Sequence, residues 1–214
     1  MKKLLFPFVA LILSISACGP KIYKSTEFDD VTSKHKLVAI LPSDVFISLR
    51  PNAAKKTSGE EMENNRQSTG YAIQDKMYSW FLTRSDKFKY TVKFQDVSKT
   101  NALLKDAGIS YAALRDKSKE SIAKLLGVDA VISNITRMDK PMSEGVAVAI
   151  GVILGSWGTT NNVTTTINIH EAQKGDLIWK YDYVAQGSFG SSPENLVNGL
   201  MRNASRKFPY NEKK

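Results

Sequence analysis

Five consecutive apolar residues, Leu37-Val38-Ala39-Ile40-Leu41, constrain the fold of this chain more than any other feature. A strand on a half-solvated sheet alternates apolar and polar residues. An unbroken apolar run suits a strand buried on both faces. Pro42 follows directly and, lacking an N–H for a sheet ladder, ends or bends the strand.

The rest of the chain supplies material to cover such a sheet. The polar stretch Arg50 to Asn65 reads as a loop running into a helix, and Ile73, Met77, Trp80 and Phe81 then share one helix face. Trp80 and Phe81 are expected to pack with Leu200 and Phe208 or with the sheet. Phe88, Tyr90, Val92 and Phe94 alternate with polar residues, the pattern of a half-buried strand. Ser98 reads as the N-cap of a short helix ending at Gly108. A second short helix carries Ile122, Leu125 and Leu126 and stops at Gly127. Ala130 to Ile135 is the next strand. Two alternating runs, Val163 to Ile169 and Leu177 to Tyr183, flank the turn Gln173-Lys174-Gly175-Asp176 and predict an antiparallel hairpin. Ser192 as N-cap and Pro193 at the first helical position start a last helix with a stripe from Leu196 to Phe208, closed by Pro209. The order β-α-β-α-α-β-β-β-α predicts one α/β domain: a mixed sheet of about five strands with helices packed on it.

Cys18 is the only cysteine of the 214 residues, so no disulfide forms within the chain and stability rests on packing. It follows a basic pair, Lys2 and Lys3, an apolar run from Leu4 to Ile15, and the small residues Ser16 and Ala17. This arrangement resembles the lipobox that ends a bacterial lipoprotein signal peptide. The resemblance implies cleavage between Ala17 and Cys18, transfer of diacylglycerol to Cys18, and acylation of its new amino terminus. Gly19 is not the aspartate associated with inner-membrane retention in enteric-type lipoproteins, so the outer membrane is the expected address. The expected organisation is a signal peptide (1–17), a tether (18–36), the α/β domain (37–209) and a charged tail (210–214). No other segment reaches the roughly 18–20 apolar residues of a spanning helix. The mature chain carries 28 bases and 21 acids, a formal +7. Such a surplus favours anionic surfaces. The bases are scattered, with the densest cluster at Arg202, Arg206, Lys207, Lys213 and Lys214, and nucleic acid is not an expected partner of an exported, anchored protein.

Three segments taken together resemble a known group. Val38-Ala39-Ile40-Leu41-Pro42 looks like its opening strand. Leu126-Gly127-Val128-Asp129-Ala130-Val131-Ile132 looks like its helix end and third strand. Lys174-Gly175-Asp176-Leu177-Ile178-Trp179 looks like its hairpin turn. Their order is similar to the α/β domain shared by the curli-secretion lipoprotein, the lipoprotein activators of penicillin-binding proteins and the amino-terminal domain of the Tol-system propeller protein. Ser133-Asn134 and the insert Arg50 to Asn65 depart from that pattern. The resemblance implies envelope assembly or transport by protein contact, without catalysis.

Gly145 to Trp157 is the segment that most invites a role beyond the fold. As a strand it presents Val146, Val148, Ile150, Val152 and Leu154 on one face; as a helix it aligns Ala147, Gly151 and Gly155 in a small-residue groove. The two periods cannot be separated here, so core element, subunit contact and membrane hairpin all stay open, and Gly145, Val148, Gly151, Gly155 and Trp157 are candidate interaction or membrane residues. In the curli-secretion group the corresponding region enters the membrane, and Val163 to Ile169, with its Thr and Asn residues, would be the matching outer strand. Catalysis finds little support. His35 lies in the tether and His170 at a strand end beside Glu171. Asp29-Asp30 and Glu60-Glu61 are neighbours in polar segments. Neither a metal set nor a nucleophile motif is recognisable, and no cofactor, metal or catalytic residue is expected. The expected function is that of an anchored envelope protein binding other envelope proteins, itself included. A curli-type secretion pore and an envelope hydrolase are the alternatives.

Overall fold

A computed structural model describes residues 21–49, 51–139, 162–186, 193–204 and 207–212. Its centre is a seven-stranded mixed sheet. The strands are β1 (Ile22–Lys24), β2 (Leu37–Ile40), β3 (Asp44–Ser48), β4 (Lys93–Phe94), β5 (Ala130–Asp139), β6 (Asn162–Glu171) and β7 (Leu177–Gln186). The main path runs β1-β7-β6-β5-β2-β4, and β3 also pairs with β5. β2 and β3 occupy successive stretches of one β5 edge, both parallel to it: Val38 faces Ala130, and Asp44 faces Ile135. Pro42 lies in the interval between them, where no ladder N–H is required.

The helices are α1 (Phe28–Thr32), α2 (Pro51–Ala54), α3 (Gly59–Thr83), α4 (Ser85–Phe88), α5 (Val97–Asp106), α6 (Lys119–Leu126) and α7 (Pro193–Ala204), with a 3₁₀ turn at Ala113–Asp116. β2 is indeed covered on both faces. Val38 and Ile40 join the core beneath α3 and α7, while Ala39 and Leu41 join a second core with Leu104 of α5 and Ile122 and Leu126 of α6. In the larger core Phe81 stacks on Phe94 at 4.1 Å and meets Phe208 at 4.9 Å. Trp80 and Leu200 are buried in the same core, so the expected packing of α3 against the last helix holds.

The hairpin forms as expected, with β6 and β7 antiparallel and Gly175 at φ +76° in its turn. A register shift beside Ile169 and His170 turns Ile178 and Trp179 to the same core. Gly127 ends α6 in the left-handed conformation. α7 begins at Pro193; Ser192 lies outside the described residues.

Several expectations need correction. The sheet has two strands beyond the expected five, β1 and β3. β1 is three exposed residues and carries no apolar pattern. The stretch read as a tether is folded from Ile22 onward: β1 pairs with β7, and Phe28, Thr32 and His35 are buried. The tail is likewise folded at its start, because Tyr210 is fully buried and Asn211 bridges to Tyr90. α3 starts at Gly59, within the stretch read as a loop running into a helix. Ser58 caps it by accepting from the Glu61 N–H at 3.0 Å. Its first half buries Asn65 and Thr69, polar residues that hide the helical stripe. The N-cap of α5 is Asp96, whose carboxylate accepts from the N–H groups of Ser98 and Lys99, so Ser98 already lies inside the helix. Phe88 to Phe94 shows the alternating burial expected, but only Lys93–Phe94 is strand. Phe88 ends α4, and the extended backbone beyond it bonds instead to the C-terminal segment, Thr91 N–H to Tyr210 O at 2.8 Å.

α3 crosses the β2–β3 interval at very close range. Ser43 N–H donates to Gly70 O at 3.1 Å. Tyr111 OH donates to Ser43 O at 2.7 Å and accepts from Val45 N–H at 3.1 Å. A Cβ on Gly70 would lie 2.5 Å from Ser43 O and 2.6 Å from the Tyr111 ring. Gly70→Ala is therefore expected to destabilise the domain by about 1–3 kcal/mol through overpacking. Trp80→Ala should cost about 3–5 kcal/mol through cavity formation. Urea denaturation of the two variants beside wild type measures both.

Candidate functional site

The two ends of the domain meet at one end of the sheet. Ile22 to Lys24 runs antiparallel to β7, with Lys24 opposite Trp179. α1 follows, and Thr32 closes its last turn by donating to Phe28 O at 2.8 Å. The chain enters β2 through Asp129, whose Oδ2 accepts from the N–H of Lys36 at 2.7 Å and of Leu37 at 2.9 Å. The C-terminal segment lies alongside: Thr91 N–H donates to Tyr210 O, and Glu212 N–H donates to Lys89 O at 3.0 Å. His35 Nδ1 and Tyr210 OH share a hydrogen bond of 2.8 Å between these two segments.

These elements enclose an open groove of about 1120 Å³ with Phe28, Trp179 and Phe208 among its apolar lining. Lys24, Lys36, Lys87 and Lys207 also line it, against the acids Asp29 and Glu212. Lys24 pairs with Asp29 at 2.7 Å and lies over the Phe28 ring at 4.4 Å. Asp29 is thus a member of the groove.

A second concavity, of about 270 Å³, lies on the face of the sheet that carries α5 and α6. Those helices cover β2 and the start of β5, and among the described residues no helix covers the outer part of that face. Thr164, Asn168, Lys180 and Asp182 are half-buried or near it there, and Val184 is 55 % exposed. Arg115 bonds Asp44 at 2.6 Å, and Phe46 lies between the guanidinium groups of Arg115 (5.0 Å) and Arg137 (5.1 Å). Lys119 lines the cleft, and burial pushes its amino group below the usual lysine range against the attraction of Asp44. His170 points into the same cleft, bonded through Nδ1 to Gly175 O at 3.1 Å.

Glu171, its neighbour, serves the hairpin turn. Burial opposes its ionisation, but the backbone N–H groups of Lys174, Gln173 and Asp176 outweigh it and lower the carboxyl pKa. Glu60 and Glu61 lie in the first turn of α3, where acids suit the positive helix end. Trp80 and Trp179 are core residues. β6, which the curli-type alternative would make an outer strand, is an interior strand paired to β5 and β7 along its length. Ala17, Cys18, Gly145, Val148, Gly151, Gly155 and Trp157 lie outside the described residues, as do Arg206, Lys213 and Lys214. Among the described residues no helix is long and apolar enough to cross a membrane.

No family model and no curated protein matches the chain. Solved structures similar to it include lipoprotein GNA1162 from Neisseria meningitidis, at 13 % identity over 80 % of this chain and 94 % of that one, with a TM-score of 0.44. The C-terminal domain of LpoB from Salmonella enterica has 13 % identity over 71 % and 83 %, with a TM-score of 0.36. A PelC dodecamer from Paraburkholderia phytofirmans has 9 % identity over 91 % and 98 %, with a TM-score of 0.39.

Both histidines carry a pH signature. Burial lowers the pKa of His35 against the fields of Asp129 and Glu171. Burial also lowers that of His170, helped by Lys119 and opposed by its bond to Gly175. Each is easier to protonate in the unfolded chain, where the pKa is 6.5. Their contribution is complete above that value and is lost as pH falls through it toward the folded-state pKa. Thermal melts should show stability falling from pH 7.5 to 5.5 in wild type. The double variant His35→Gln, His170→Gln should be flatter over that window, whatever its absolute stability.

Proposed function

We propose that this protein is a lipoprotein of the bacterial cell envelope, held to the outer membrane by acyl chains on Cys18, that works by binding other envelope proteins rather than by catalysis. The observation that supports the binding role is the second face of the sheet, whose outer half no helix covers among the described residues. β6 and β7 hold that face rigidly, and it offers Thr164, Asn168, Lys180, Asp182 and Val184 beside the arginine-flanked Phe46. A broad polar surface with an aromatic anchor and arginines has the composition of a protein interface. The anchor is supported by the sequence Ile15-Ser16-Ala17-Cys18 and by its place close before β1.

Cys18→Ser should release the protein from membranes or leave it uncleaved with its signal. A variant that fractionates and migrates like wild type overturns the anchor. Photo-crosslinkers at positions 168 and 184 should capture envelope proteins, a second copy of this chain among the possible products, and crosslinkers at exposed position 106 should not. Equal capture at all three positions would remove the sheet face from the reading.

A further inference from the structure

The groove at the junction of the chain ends is basic, and it lies close to the anchor. Only three residues separate Cys18 from Ile22, the first residue of β1. Four Cα steps reach at most about 14 Å, whereas a free tether to Leu37 would reach about 60 Å. β1 is paired to β7 and cannot serve as slack. The acyl chains on Cys18 therefore hold this part of the domain at the bilayer surface.

We propose that the groove is a docking face for anionic lipid headgroups, and that lipid anchor and groove together set how the domain lies on the membrane. The proposal rests on the anchored reading of Cys18. Four lysines line the groove against two acids, and Lys36, Lys87 and Lys207 are exposed. Lys21 and Lys34 add exposed positive charge on the N-terminal segment, against exposed Glu27 and Asp30. The strand beside the anchor also displays apolar surface, with Ile22 37 % and Tyr23 48 % exposed. Ile22 lines the groove beside the lysines while Tyr23 lies on the other side of the strand, and lysine stems over apolar surface with charged heads in water suit the headgroup region. Surface charges are screened beyond about 8 Å at physiological salt, so short reach to the anchor is what makes these lysines effective. Multiple acyl chains already hold the protein on the bilayer. The lysines accordingly decide orientation rather than attachment, and orientation decides which surfaces a partner protein can reach.

The test uses full-length lipidated protein in vesicles. Cys18 is acylated, so a Ser33→Cys variant, in the groove, or an Asp106→Cys variant, on α5, carries one free thiol for a nitroxide. In vesicles containing phosphatidylglycerol the label at 33 should enter the headgroup layer while that at 106 stays in water. In phosphatidylcholine vesicles, in 1 M salt, or after Lys87→Glu with Lys207→Glu, the label at 33 should return to water while the protein stays attached. Should the reversal variant fail to fold by circular dichroism, Lys87→Gln with Lys207→Gln gives the same readout with a smaller shift. A label at 33 that remains in water on anionic vesicles overturns the proposal. So does one that contacts lipid equally on both vesicle types, since the anchor alone would then explain it.

Mass spectrometry separates the two readings. If Cys18 proves unmodified, the anchor fails, and the groove stands only if the protein still floats with anionic but not zwitterionic vesicles. Each neutralised lysine should then weaken that flotation roughly fivefold.

Discussion

The whole sheet depends on one strand, β5. Its ten residues pair with β6 along one edge and with β2 and then β3 along the other. Because β2 and β3 run parallel to β5, the chain between them must cross over, and that crossover carries every helix from α2 to α6. α3 lands on one face and α5 and α6 on the other, so the double burial of β2 follows from the parallel pairing. The interval between β2 and β3 is the weak point of this arrangement. It is closed by Leu41 N–H to Ile132 O at 2.9 Å, by the Ser43–Thr136 hydroxyl pair at 2.9 Å, and by Tyr111 on the Ser43 carbonyl.

The same parallel edge leads to the two candidate surfaces. Asp129, one residue before β5, holds the entry to β2 through two backbone N–H groups, and so sets where the N-terminal segment lies. That segment and the C-terminal one are joined by His35 and Tyr210 and together enclose the basic groove. At the other side, the helices of the crossover are too few to clothe the hairpin strands. Among the described residues no helix covers the outer half of the second face, and the cleft with Arg115, Lys119 and His170 opens at the edge of the helix-covered part.

Amphipathic pattern reports burial, not partners, and this separates what could be read from what could not. The alternation from Phe88 to Phe94 was legible, and those residues are indeed alternately buried; that their hydrogen bonds go to Tyr210 and Lys36 was not. β1 was invisible because an exposed edge strand of three residues needs no apolar period. The start of α3 was invisible because Asn65 and Thr69, buried on it, look like loop residues. His35 and His170 each stood alone in sequence, and nothing local showed that the first meets a tyrosine 175 positions away.

The sequence by itself determined the strand covered on both faces, the hairpin and the left-handed helix stop at Gly127. All are short-range: a run, a period of two, one residue without a Cβ. The tertiary structure alone decided that the supposed tether and tail fold together, that Gly70 must be glycine, and that scattered lysines line one groove. Each of these depends on close approach between residues tens of positions apart in the chain, which no local pattern encodes.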